Sequence, residues 1–180
     1  PALELLVLDV GQGSAAVLRT ASSTLVFDAG PRYSERFDAG RALLVPALRA
    51  SGVRAVDVLV LSHADSDHAG ARRGFGRGFP CEGSSAVNRP GQRRHTLLSG
   101  MHWQHDGVRF RVLHPRDGDR REGNTASCVL RVEAAGRVIL LTGDIDTAAE
   151  RALVAAEPSA LRADVVLVPH HGSRSSSSPR

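Results

Sequence analysis

Four side chains able to bind a metal occupy six positions in Ser62-His63-Ala64-Asp65-Ser66-Asp67-His68. They directly follow the apolar run Val56–Leu61. In an extended or turn backbone, residues 63, 65 and 67 share one side while 68 points elsewhere, so one short loop could serve two adjacent ions. A second group, Pro169-His170-His171-Gly172-Ser173, follows the apolar run Val165–Val168. A third element, Gly143-Asp144, follows Val138–Leu141. Asp144 alone would read as a turn residue. Three strands that each deliver acid or imidazole at their C-terminal ends point to an assembled site. Imidazole and carboxylate around an open coordination position activate water and polarise a bound oxygen. The reaction class is hydrolysis, most naturally of a phosphodiester. Imidazole favours Zn²⁺, while Asp65 and Asp67 add hard oxygens that give Mn²⁺ equal weight.

Other catalytic templates are missing. The chain has no Lys, so it has no Walker A loop. It has no Gly-x-Ser-x-Gly, so the usual nucleophile elbow is absent.

The elements that must position these groups can be read from pattern. Leu3–Asp9, Ala15–Thr20 and Ser23–Asp28 read as strands of an antiparallel meander. Asp38–Ala50 reads as a helix capped by Asp38, with Pro46 forcing a kink or two short helices. Val56–Leu61 is a continuous apolar strand, buried on both faces. Residues 70–105 are rich in Gly and Arg and read mostly as loop. Val108–Leu113 alternates like a half-buried strand. Cys128–Glu133 and Val138–Thr142 form a hairpin, Asp146–Ala156 a helix, and Val165–Val168 a further buried strand. Residues 173–180 are a Ser-rich tail. Sheets with helices outside them, an α/β (α+β) architecture, are the expected outcome.

The length of 180 residues suits one domain, and 42% apolar content supports a core. No run of 18 apolar residues is present, so no span of a bilayer is expected in residues 1–180. The sequence begins at Pro1 and shows no signal peptide, as expected of a piece of a longer protein. Net charge is +4, and all 23 basic residues are Arg. Residues 72–121 carry eleven Arg against four acids, which concentrates the positive excess there. Arg72, Arg73, Arg77, Arg93 and Arg94 are its candidate DNA-binding residues. A phosphate-facing surface and a solvated loop fit this charge equally. Cys81 and Cys128 form no metal motif, and Cys128 reads as a core residue.

The ordered set HADSDH, GD and PHHGS resembles the metallo-β-lactamase superfamily. LDVGQGSA (8–15), FDAG (27–30), LSHADSDHAG (61–70), DGVRFRVLHP (106–115), NTASCVLRV (124–132), LLTGDI (140–145) and DVVLVPHHGSRSSSS (164–178) resemble the C-terminal domain of ComEC-type DNA-uptake channel proteins. The resemblance runs from residue 3 to 178. It implies an αββα metallo-β-lactamase-like sandwich with two divalent ions, Mn or Zn. His63 and Asp65 would bind the first ion, Asp67, His68 and His170 the second, and Asp144 would bridge them. A water between the ions would be the nucleophile, oriented by Asp67. Asp9 and Asp28 would be either supports of metal-bound His or turn caps. Asn124 and Ser127 occupy the place where the superfamily's third motif has a ligating His, which weakens the first ion's site. His114, a possible substitute, is assigned a structural role. His171 and Ser173 would contact backbone or substrate. Trp103 would stack on a base or anchor its own loop.

The resemblance also implies natural transformation. The parent would be a multi-pass inner-membrane channel, with this domain soluble on the extracytoplasmic face and degrading the DNA strand that is not transported. Single-stranded DNA and the rest of the channel would be its partners. Family members continue past PHHGS, so the sandwich is expected to be truncated at its C-terminus and to self-associate through uncovered apolar surface. Two other functions compete: hydrolysis of a small phosphodiester or ester, and a metal-poor module that binds DNA or regulates the channel.

Overall fold

The computed structural model describes residues 2–78, 85–86, 97–118 and 123–177. The chain divides into two compact units, Leu3–Thr96 and Leu97–Arg180. Each is built on one five-stranded sheet.

In the first unit, β1 (Glu4–Val7), β2 (Ala16–Arg19) and β3 (Thr24–Phe27) form the expected antiparallel meander. β4 (Val58–Val60) joins β3 in parallel, and β5 (Ser85–Ala86) joins β4 in parallel. The β3–β4 crossover carries a π-helical turn, Gly40–Leu44, that runs into α1 (Val45–Ala50). Asp38 accepts the Arg41 amide through Oδ1 at 2.9 Å, which caps this start. Pro46, the second residue of α1, has no amide hydrogen to donate, and the wider π-helical turn directly precedes it. Val17, Val26, Leu44, Leu48, Leu59 and Phe75 belong to the buried core of this unit.

The stretch expected to be mostly loop contains a helix, α3 (Arg72–Gly78), and a strand, β6 (His102–His105). Three glycines hide the helix, because each weakens helical propensity by about 1 kcal/mol. Packing supplies what propensity lacks. Phe75 is fully buried. At Gly40 a Cβ would meet the Ala71 oxygen at 2.7 Å and the Phe75 nitrogen at 2.9 Å. Glycine lets the two backbones touch there.

In the second unit, β6 is followed by β7 (Val108–His114), β8 (Val129–Ala134) and β9 (Arg137–Leu141), each antiparallel to the strand before it. Ala135 (φ 48°) and Gly136 (φ 74°) form the two-residue turn of the β8–β9 hairpin. α4 (Thr147–Ala156) is capped by Asp146, whose side chain accepts the Ala149 amide at 2.9 Å. Ala149 and Leu153 of α4 pack on Leu113, Val129 and Leu140. Cys128 is a buried core residue.

The last strand, β10 (Val165–Val166), pairs with β9 in parallel. It was expected to be buried, but Val165, Val166 and Val168 are 45%, 47% and 61% exposed. An apolar run reports β-propensity as readily as burial, and β10 is the edge strand of its sheet. Asp164 fixes the register. Its carboxylate accepts from Arg137 at 2.6 Å and from the Val138 amide at 2.8 Å. The Arg137 bond, and next the Val138 amide, hold the Asp164 carboxyl below its ordinary range.

Two predictions follow from this packing. Gly40→Ala should destabilise the protein by about 1–3 kcal/mol in chemical denaturation. Gly76→Ala, in α3 with open space at its Cβ, should stabilise it by about 0.5–1 kcal/mol; equal effects would contradict the close approach at Gly40. Because the folded pKa of Asp164 is depressed, its contribution is complete above the unfolded value and is lost as pH falls through the folded one. The Val138 amide resonance should therefore titrate with a midpoint below that of an ordinary Asp, and a midpoint at the ordinary value would rule the clamp out.

Candidate functional site

In the first unit the site grows from the end of β3. Asp28 is fully buried and takes φ 60°, a left-handed conformation that non-glycine residues rarely hold. The Asp28 amide donates to Val60 O at 2.8 Å, which locks this corner onto β4. Asp28 Oδ1 accepts the Ser62 amide at 2.7 Å. Its Oδ2 accepts the Ser62 hydroxyl at 2.9 Å and lies 2.7 Å from His68 Nδ1. The next amide, Ala29, donates to His68 O at 2.8 Å. The FDAG segment therefore grips His68 at both its ring and its backbone.

With both rings neutral, this network sets the tautomers. A carboxylate only accepts, so His68 Nδ1 carries hydrogen and Nε2 keeps a lone pair. Ser62 Oγ gives its proton to Asp28, so it accepts from His63 Nδ1, 3.0 Å away. His63 Nε2 is then a lone pair too. The two rings lie side by side, with centroids 4.3 Å apart.

The residues after His63 form a helical turn, α2 (Ser66–Ala69), rather than an extended loop. Asp67 and His68 consequently share that turn. Asp65 stands at the N-cap position but makes no side-chain cap. Such a cap is typically worth about 1 kcal/mol. Its carboxylate instead lies 3.5 Å from His63 Nε2. Asp67 Oδ2 lies 3.7 Å from His68 Nε2. Each imidazole lone pair thus faces a carboxylate oxygen, and two such acceptors repel unless a cation or proton lies between them. This donor set fits a divalent ion, and the hydrogen-bonded Nδ1 atoms match the usual support of metal-binding histidines.

In the second unit, Asp144 follows β9 and is buried. Its amide donates to Ser127 Oγ at 3.1 Å. Ser127 O accepts from His114 Nδ1 at 2.8 Å, so His114 is a buried support for this corner. The turn after β10, Pro169–Gly172, holds His170 and His171 at φ 49° and 52°. Two successive non-glycine residues in this region cost on the order of 1–3 kcal/mol each. His170 is steadied by Ser175 Oγ, 2.9 Å from Nδ1, and its amide donates to Gly143 O. His170 Nε2 lies 3.9 Å from Asp144 Oδ2, and His171 Nε2 lies 3.5 Å from the same oxygen. Asn124 Nδ2 is 3.2 Å from His170 Nε2. His171, expected to touch backbone or substrate, thus stands closer to Asp144 than His170 does.

The remaining candidates divide. Asp9 accepts the Gly11 amide at 3.0 Å, a turn cap. Ser173 shapes its own turn, with Oγ 3.1 Å from Ser175 Oγ. Arg72 donates to Ala69 O at the end of α2. Arg73 is exposed. Arg77 belongs to α3, but its side chain, with Arg93 and Arg94, lies outside the described residues. The same is true of Arg89, Arg120, Arg121, His95 and Cys81. Within the basic segment, Arg109 pairs with Glu133 and Arg111 with Glu157. Trp103 stacks on Phe110 with centroids 5.2 Å apart, serving its own sheet. Ser62 and Ser175 were not anticipated. Their place beside the histidines in SHADSDH and HHGSRS was the available signal.

If Asp28 sets the His68 tautomer, Asp28→Asn should weaken binding of Zn²⁺ or Mn²⁺ by about 10–100-fold in calorimetric titration. Unchanged affinity in a folded variant would remove Asp28 from that role.

The sequence model of the Metallo-beta-lactamase superfamily matches residues 8–179. The chain is 41% identical over 172 residues to competence protein ComA of Neisseria gonorrhoeae, covering 96% of this chain and 24% of that protein. It is 30% identical over 198 residues to ComE operon protein 3 of Bacillus subtilis, covering 94% and 25%. The chain thus spans about a quarter of the length of these relatives. Among solved structures it resembles the subclass B3 metallo-beta-lactamase MEM-A1 from a soil metagenome library. That likeness has a TM-score of 0.63 at 12% identity and covers 94% of this chain and 76% of the other. A beta-lactamase from Chitinophaga pinensis gives 0.62 at 15% identity, covering 88% and 72%. These structures speak for the fold: mixed α and β, with two sheets, as the sequence led one to expect. No helix among the described residues is long and apolar enough to cross a membrane.

Proposed function

Because the chain belongs to the metallo-beta-lactamase superfamily, we propose that it is a metal-dependent nuclease acting on DNA during natural transformation. In this reading it degrades the strand that is not transported, as one part of a multi-pass inner-membrane channel, and it faces the extracytoplasmic side. The competence proteins that it matches along nearly its whole length support that setting. The observation that carries the chemistry is the pair of imidazole lone pairs held against Asp65 and Asp67.

Within the first unit, His63, Asp65, Asp67 and His68 would be the metal ligands; within the second, considered by itself, Asp144 with His170 or His171 would be. Zn²⁺ and Mn²⁺ both suit this mixture of nitrogen and oxygen donors. When bound, such ions supply Lewis acidity and lower the pKa of water. The protein's own part is preorganisation. Asp28 and Ser62 hold two imidazoles in one tautomer before any ion arrives. Ser127 holds the Asp144 backbone. Asp67 has a side chain 28% exposed, so it can orient a water and receive its proton.

One observation favours a second reading. Asn124 engages His170 Nε2 where a ligating histidine would otherwise stand, as expected of a metal-poor module that binds DNA without cutting it.

The two readings separate in a cleavage assay on single-stranded DNA with Mn²⁺ or Zn²⁺. The nuclease reading predicts cleavage that falls about a hundredfold or more in Asp144→Asn. Tight, salt-sensitive DNA binding with no cleavage under either ion would instead support the binding module.

A further inference from the structure

The loop from Pro31 to Ala39 exposes two aromatic rings. Tyr33 and Phe37 are 46% and 56% exposed, and their rings stack with centroids 5.1 Å apart. The loop is braced. Tyr33 OH donates to Val10 O at 2.7 Å, the Tyr33 amide to Phe37 O, and the Ala39 amide to Pro31 O. Exposed rings on a braced loop offer stacking area at little entropic cost.

Beside them lies a polar pocket of about 160 Å³, lined by Arg32, Arg41 and Arg73 with Glu35, Asp38, Gly70 and Gly74. Arg32 donates Nε to Ser34 O and an Nη to Glu35 O, which fixes its guanidinium plane while leaving further N–H groups. The guanidiniums of Arg41 and Arg73 make no ion pair among the described residues. Asp38 is committed to the Arg41 amide. Glu35 is the other acid present, so three guanidiniums face two carboxylates.

Both features adjoin the candidate metal loop. Val10, which receives Tyr33, leads into the turn whose Ser14 amide donates to Asp67 O at 3.2 Å. Gly70, in the pocket wall, directly follows α2.

We propose that this surface docks a single-stranded nucleic acid, with a base against Phe37 and Tyr33 and a neighbouring backbone phosphate among Arg32, Arg41 and Arg73. Aromatic faces beside arginines are the general means of holding single strands. The proposal deepens the nuclease reading and rests on it for the substrate.

The test measures polarisation of a labelled oligothymidylate without divalent ions, across a salt series. Phe37→Ala should weaken binding about tenfold and abolish the advantage over an abasic strand of equal length. Phe37→Trp should retain both. Arg41→Gln with Arg73→Gln should weaken binding about tenfold and lower the salt slope by about 0.7 for the lost phosphate contact. Arg54→Gln, also exposed, serves as the charge control. Losses no greater than that control overturn the proposal. An effect of the arginine pair without any effect at Phe37, with inorganic phosphate competing, also overturns it, reducing the site to a free-oxyanion pocket. If these binding effects hold while wild type cleaves nothing with metal, the docking site stands and the nuclease reading falls.

Discussion

A fully buried carboxylate against a fully buried imidazole is the contact on which the first unit's candidate site depends. Asp28 and His68 meet at 2.7 Å with neither side chain exposed. Burying either group alone would be costly, and their mutual hydrogen bond offsets that cost only in one geometry. The geometry is enforced from three directions: the Asp28 amide on β4, the Ala29 amide on His68 O, and the Ser62 bonds. The left-handed φ of Asp28 is the strain this arrangement carries. Its consequence is chemical. Two Nε2 lone pairs point away from the network, and each faces a carboxylate, that of Asp65 making no side-chain cap on the helix beside it.

The second unit's cluster uses a different device. There the backbone itself is bent, with His170 and His171 both left-handed, and Asp144 is held by its amide. A clamp at Asp164 delivers the strand that ends in these histidines. Rigid supports under strained residues of a candidate site are the pattern expected where geometry must precede the ligand.

The chemistry was far more legible in the sequence than the supports. His63, Asp65, Asp67, His68, Asp144 and His170 announce themselves by type, density and position after apolar strands. The meander, the hairpin and α4 follow from alternation and a capping Asp. Asp28 could be narrowed only to a support or a turn cap, since a strand-ending Asp fits both. α3 was hidden because its stability comes from contact at Gly40 and Phe75, which a local propensity cannot report. Ser62 and Ser175 are ordinary residues whose roles exist only in three dimensions. Charge counting alone does not show which arginines are neutralised locally. Arg109 and Arg111 add to the basic segment, yet each has a glutamate partner. Arg41 and Arg73, whose guanidiniums make no ion pair among the described residues, lie one outside that segment and one inside it.

The most direct test of the account is the tautomer of His63 and His68, read by ¹⁵N NMR of the metal-free protein at a pH where both rings are neutral. Both rings should carry the proton on Nδ1, with Nε2 resonances that move on adding Zn²⁺. Finding the proton on Nε2 of His68 would contradict it, because the Asp28 contact would then not be presenting a lone pair to any ion.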